Sequence, residues 1–125
     1  MKDSYVVDGA FLQCSCGNQK GEFKAEKERA IHINHKIQGN IQDYKPYTHI
    51  PSFGLCNSRL NPDVIAANRG RHGQWISQPC RPAVTMKWMQ GKENVHIDGH
   101  PALLSCSKNS CMWCGQITFI EDGQE

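Results

Sequence analysis

Long apolar runs are missing from this chain of 125 residues. Nowhere do eighteen apolar residues follow one another, so no segment reads as a membrane-spanning helix. Leu, Ile, Val and Phe together number only 24, just under the level typical of packed domains. Net charge is also small, +2 with histidine neutral, which argues against charge-driven disorder and against a nucleic-acid partner. The opening stretch MKDSYVVDGAFLQ lacks the basic start and continuous apolar core of a secretory leader. The expectation is therefore no signal peptide and synthesis in a reducing cytosol. Catalytic signatures are absent too: there is no Gly-x-Ser-x-Gly, no phosphate-cradling glycine loop and no His-Glu-x-x-His. What remains is one domain, 1–125, with a thin core that needs staples.

Cysteine is what the chain has in abundance, and seven is an odd number, so a full disulfide framework leaves one thiol over. In a reducing compartment, clustered thiols are more often metal ligands. The densest stretch is Val95 to Ile117, VHIDGHPALLSCSKNSCMWCGQI, with Cys106, Cys111 and Cys114 inside nine residues. It opens as an alternating strand and turns at Asp98-Gly99, the strongest short-range hairpin signal. Cys111 and Cys114, two residues apart, can share one ion or form one redox pair. A thioredoxin-type pair sits at a helix start, and here the strand-like Gln116 to Ile120 follows instead. A small β-domain held by a metal is the reading.

The rest of the chain fits short β-elements. Ser4 to Leu12 alternates around Tyr5, Val7 and Phe11, breaks at Asp8-Gly9, and ends in Cys14-Ser15-Cys16-Gly17, a sequence able to form a metal knuckle. Lys20 to Arg29 is charge-mixed and reads as a solvated excursion with no site in it. His32 and His35 fall on opposite faces of a strand and read as surface or core-edge histidines. An echo links Ile31 to Ile37 with Val95 to Pro101: an apolar-His-apolar strand followed by Asn or Asp, offset by 64 residues. It suggests two similar hairpins packed about an axis. Tyr47 to Asn61 is loop-like and presents Cys56. Asn61-Pro62 predicts a helix over 62–68 ended by Gly70. Arg69, Arg71 and His72 read as a solvated loop. Cys80 lies between two prolines in an extended segment, and Met86 to Met89, centred on Trp88, reads as core packing. For a closed four-ligand site, spacing alone favours Cys14, Cys16, Cys111 and Cys114 without settling the matter.

The segments YVVDGAFLQCSCG, INHKIQGNIQDYKP, IPSFGLCNSRLNP, QPCRP and VHIDGHPALLSCSKNSCMWCGQI occur in the order of the PAAR-like proteins. The chain resembles these relatives of the proline-alanine-alanine-arginine repeat proteins over nearly its whole length, Tyr5 to Ile120. Lys36-Ile37-Gln38-Gly39 and His100-Pro101-Ala102-Leu103 look like degenerate copies of the naming motif. The resemblance implies an all-β cone of short β-hairpins with pseudo-threefold symmetry, one short helix and a metal-stapled apex. It implies a non-enzymatic spike tip seated on the trimeric valine-glycine-repeat spike (VgrG) of a contractile injection machine such as a bacterial type VI secretion system. Such a protein assembles in the bacterial cytoplasm, leaves the cell on the spike, and carries effector cargo only non-covalently.

Carried over residue by residue, the family's recurrent cysteines fall on Cys14, Cys56, Cys80 and Cys111, and this quartet replaces the spacing-based set as ligands for one structural zinc. Relatives carry a further cysteine where this chain has Asn109, and Gly-Gly where it has Cys114-Gly115. Cys16, Cys106 and Cys114 are thus additional here, and His32, His96 and His100 are further candidates because parent-family members use histidine at the apex. Two other classes stay open on the residues alone. One is a zinc-ribbon-like binding module. The other is a zinc or thiol enzyme, which needs three protein ligands, an open fourth position and a nearby base.

Overall fold

Two two-residue turns set the character of this chain. Asn34 and His35 have φ of 51° and 66°, and Asp98 and Gly99 have 55° and 84°. Positive φ at both central residues is the type I′ signature, whose twist matches that of paired strands. Each turn joins an antiparallel pair: β3 (His32–Ile33) with β4 (Lys36–Ile37), and β7 (Lys92–Ile97) with β8 (His100–Ala102). The echoed stretches thus form equivalent hairpins. In this computed structural model, residues 4–27, 29, 31–71, 73–113 and 115–124 are described.

The remaining strands build a four-stranded antiparallel sheet and one further hairpin. The sheet runs in the order β2 (Gly21–Glu22), β1 (Phe11–Cys14), β10 (Gln116–Glu121), β9 (Lys108–Ser110). The hairpin joins β5 (Leu55–Cys56) to β6 (Gln78–Pro79). Between them lies α1 (Pro62–Asn68), the single helix among the described residues, where the sequence predicts it. Its start follows from chemistry: the Asn61 side chain accepts from the Asp63 N–H at 2.9 Å, and Pro62 needs no donor partner. Gly70, at φ 72°, takes the left-handed conformation that ends it. The regular structure is mostly strand, and no described helix is long and apolar enough to cross a membrane.

Three short segments bond to one another in a closed cycle. The Val6 N–H donates to the Leu103 carbonyl (3.0 Å), the Leu103 N–H to the Gly39 carbonyl (3.1 Å), and the Gly39 N–H to the Val6 carbonyl (2.8 Å). Two residues outward on each segment, three flanking bonds join the same segments in the opposite sense: Asp8 donates to Ile37 (2.8 Å), Ile41 to Pro101 (3.1 Å), and Ser105 to Ser4 (2.8 Å). The bridges Tyr5–Leu104, Val7–Gln38 and Asn40–Ala102 complete the pattern. Gly39 and Leu103 are separated by the same 64 residues as the two hairpins. No side chain fits easily at Gly39, because a Cβ there would lie 3.0 Å from the Phe23 ring.

The core packs around the four-stranded sheet. Trp88 stacks on Phe119 with centroids 4.8 Å apart, and Phe23 meets the same ring edge-on at 5.6 Å. Val6, Leu12, Ile50, Phe53, Leu103 and Ile117 fill the space around them.

Polar groups fasten this thin core as well. Arg29 is buried and reaches both carboxylate oxygens of Asp43, at 2.7 and 3.0 Å, while also donating to the Gln38 carbonyl. Burial opposes the Arg29 charge, but the hydrogen bonds and charge of Asp43 outweigh it and leave its pKa raised. His49 accepts from the Lys45 N–H through Nδ1, which places its proton on Nε2, 3.2 Å from the Glu26 carboxylate. The Trp88 indole donates to the Asp43 carbonyl, and the Asn40 amide donates to Ile97.

Two expectations are corrected. Lys20 to Arg29 is not a solvated excursion: it includes β2, and Gly21, Phe23, Ala25 and Arg29 are buried. Its charged residues alternate with these, so a period of two underlies the charge mixture. The second correction concerns Met86 to Met89. Trp88 is core, as expected, held inward by its N–H bond to Ile41 and its indole bond to Asp43, but Met86 and Met89 are exposed.

Candidate metal centre

Cys14 ends β1, where the backbone turns back: its carbonyl accepts from the Gly17 N–H at 3.0 Å. The turn is fixed against β10, since Ser15 N–H donates to Gln116 and the Ser15 hydroxyl accepts from Gln116 N–H, both at 2.9 Å. Gly17, beyond it, bridges Cys56 on β5, and the Cys16 carbonyl accepts from Asn57 N–H at 3.0 Å. A Cβ on Gly17 would run into Phe53, so glycine is needed for this approach. Cys80 follows β6. Its N–H donates to Gly54 (2.7 Å) and its carbonyl accepts from the Ser52 hydroxyl (2.8 Å). Cys111 follows β9, and its N–H donates to the Gly115 carbonyl at 2.8 Å, closing a tight turn.

These loops bring the thiols of Cys14, Cys16, Cys56, Cys80 and Cys111 into one neighbourhood. Cys56, Cys80 and Cys111 are buried in the core cluster, and Cys14 and Cys16 pack against it. Burial, the largest cause, pushes the Cys14 thiol up to about 11, and nearby Cys111, Cys16 and Cys80 add to the shift. Burial likewise raises the Cys80 thiol, with contributions from Cys56 and Cys111 and opposing hydrogen bonds from Phe53 and Ser52. The Ser58 N–H points at the Cys56 sulfur from 3.5 Å, and the Ser58 hydroxyl donates to the Trp113 carbonyl, tying the Cys56 loop to the Cys111 loop.

Of the two sets read from the sequence, the four cysteines Cys14, Cys56, Cys80 and Cys111 all lie in this neighbourhood. In the spacing-based set, Cys14, Cys16 and Cys111 do too, while Cys114 is outside the described residues. Cys106 is elsewhere, half-buried beside the Gln90 carbonyl. His32, His96 and His100 are exposed on the β3–β4 and β7–β8 hairpins, away from the core cluster. In chemistry, four sulfur donors on separate segments, three buried and Cys14 half-buried, suit zinc. In geometry, no group of three or more His, Cys, Asp or Glu among the described residues is arranged to hold a metal ion.

Sequence reasoning did not find the Arg29–Asp43 pair or the room that Gly115 leaves for the Cys14 thiol, into which a Cβ at Gly115 would run. A Cys-Gly step after a cysteine cluster was the one available signal for the latter.

No curated protein and no solved structure matches the chain. The model of a family described as a domain of unknown function (DUF4280) matches residues 6–124, and the chain belongs to that family.

Proposed function

We propose that this chain is a non-enzymatic, PAAR-like spike tip that caps a trimeric VgrG-type spike of a bacterial contractile injection system. The observation that carries the reading is the closed hydrogen-bond cycle through Val6, Gly39 and Leu103, flanked by bonds from Asp8, Ile41 and Ser105 that join the same three segments. Three segments of one chain bonded in a ring support a reading of three-way pseudo-symmetry, and a trimer offers its end face in three equivalent parts. A monomer can satisfy all three parts at once only if its own backbone repeats about the same axis. The hairpins flanking two of these segments supply the short β-structure of a cone, and seating it on the spike covers strand edges that would otherwise pair with other chains.

At the other end of this reading stands one structural zinc per chain, held by Cys14, Cys56, Cys80 and Cys111. Its chemistry when bound is a closed four-sulfur staple whose binding free energy adds to folding. The residues contribute the rest: the chain buries three of these thiols and half-buries Cys14, mounts them on four segments and ties the Cys56 and Cys111 segments together through Ser58. A thin core with two-residue strands gains most from such a staple. Assembly in the bacterial cytoplasm, export on the spike and non-covalent carriage of an effector belong to the same proposal.

The test is retention of the purified chain on an immobilised cognate trimeric spike. Retention at one chain per trimer is expected; no retention at micromolar concentrations overturns the assignment.

A further inference from the structure

Met86, Met89 and Met112 line one surface cavity of about 260 Å³, together with Cys111 and Asn109. The chain has four methionines, and the fourth is Met1, so every internal methionine is at this cavity. All three are open to solvent, at 64%, 47% and 58% exposure, whereas Cys111 is at 9%. Methionine is apolar, and a thin core has use for it, so outward placement of all three calls for a reason.

Their backbones are fixed independently. Asn109 donates its side-chain amide to the Met86 carbonyl at 2.9 Å. Met89 exchanges two hydrogen bonds with Lys108, at 2.9 and 3.2 Å, and the Met112 N–H donates to Ala83 at 2.8 Å. Two segments, with a separate anchor at each methionine, therefore hold three thioethers around an opening that has a buried thiol in its lining. That thiol belongs to the same buried cluster as Cys56 and Cys80, and Cys14 packs against it.

We propose that Met86, Met89 and Met112 form a sacrificial sulfoxidation site that intercepts hypohalous acid before it reaches Cys111 and the thiols clustered with it. The thioether sulfur attacks the chlorine of hypochlorous acid, and water then replaces chloride on sulfur. The net change converts R–S–CH₃ and HOCl to R–S(=O)–CH₃, H⁺ and Cl⁻. Sulfur gives up two electrons and chlorine accepts them, so each methionine consumes one oxidant molecule. A thioether needs no ionisation to react and its sulfoxide is reducible, whereas a thiol driven to the sulfonic acid is lost. The proposal does not rest on spike docking.

The experiment titrates the full chain with hypochlorous acid, maps sulfoxides by peptide mass spectrometry and counts the surviving thiols of Cys14, Cys56, Cys80 and Cys111. It compares the wild type with Met86→Leu/Met89→Leu/Met112→Leu, a volume-conserving change. Sulfoxides at the three positions should precede loss of these thiols in the wild type. In the variant, thiol loss should begin about three oxidant equivalents earlier, one for each methionine removed. Met112→Leu alone should advance it by about one equivalent, which keeps the test informative if the triple variant folds poorly. Coincident thiol-loss curves, or thiol loss that precedes the sulfoxides in the wild type, would overturn the proposal.

Discussion

Gly115 leaves room for the Cys14 thiol: a Cβ built at Gly115 would approach the Cys14 Sγ more closely than 3.0 Å, a separation real Cβ atoms essentially never show. The same Cβ would also approach Cys111 and Cys16, so three cysteines border this one glycine. Its carbonyl meanwhile accepts the Cys111 N–H. The glycine thus permits the sulfur cluster to close from one side.

Gly115→Ala should therefore displace the Cys14 side chain from its neighbours. Because Sγ ends a short side chain, the fold should survive, at a cost of about 1–3 kcal/mol. Metal retention against a chelator should weaken in parallel. Thermal melting and chelator competition check this, and an unchanged affinity would remove Cys14 from the ligand set.

The Arg29–Asp43 pair should be the most sensitive polar contact in the core. Both side chains are almost fully buried, at 5% and 2% exposure. Asp43→Ala leaves a buried guanidinium without its carboxylate and should cost about 3–5 kcal/mol. Urea denaturation would read this directly, and a loss well below that range would mean that water or Asp98, 4.0 Å from Arg29 Nε, takes over.

Alkaline pH should destabilise the metal-free chain. Cys14 is raised by burial from 9.0 to about 11, so above pH 9 the unfolded chain releases a proton that the folded chain keeps. The folded state then binds more protons, and stability falls as pH rises. The contribution is intact below pH 9 and lost on passing through about 11. Cys80, raised in the same direction, steepens the fall. Melting temperature against pH on chelator-treated protein measures it, and a flat profile across this window would contradict it.

The two type I′ turns differ in one residue that matters. His35 holds φ 66° where Gly99 holds 84° in the equivalent hairpin. Left-handed backbone strains a residue with a Cβ, so His35→Gly should stabilise the protein by roughly 0.5–1 kcal/mol, net of the extra freedom glycine gives the unfolded chain. Melting curves would show it; a destabilised variant would mean that the exposed imidazole contributes more than its backbone costs.

Much of this organisation is written in local chemistry. Asp98-Gly99 and Asn61-Pro62 specify a turn and a helix start within two residues each, and both stand where the sequence puts them. The 64-residue echo marks two of the three segments in the hydrogen-bond cycle. The third, Tyr5 to Val7, carries no histidine and no matching hairpin turn, so nothing local ties it to the others. Its membership depends on backbone bonds to Leu103 and Gly39, which are contacts between residues far apart in the sequence. Arg29 was hidden for a similar reason. Its ten-residue stretch looks solvated by charge, and only the distant partner Asp43 makes burial of a guanidinium possible. The cysteines are easy to count but hard to pair, because their convergence depends on glycines at 17 and 115 and on loops from four segments.

The central claim is a chain seated alone on a threefold partner with one zinc inside it. Native mass spectrometry of the chain mixed with its trimeric spike reads both parts in one spectrum. The account predicts one chain, three spike subunits and one zinc ion in a single complex. Separate masses for the free chain and the free trimer, under conditions where both are folded, would contradict it.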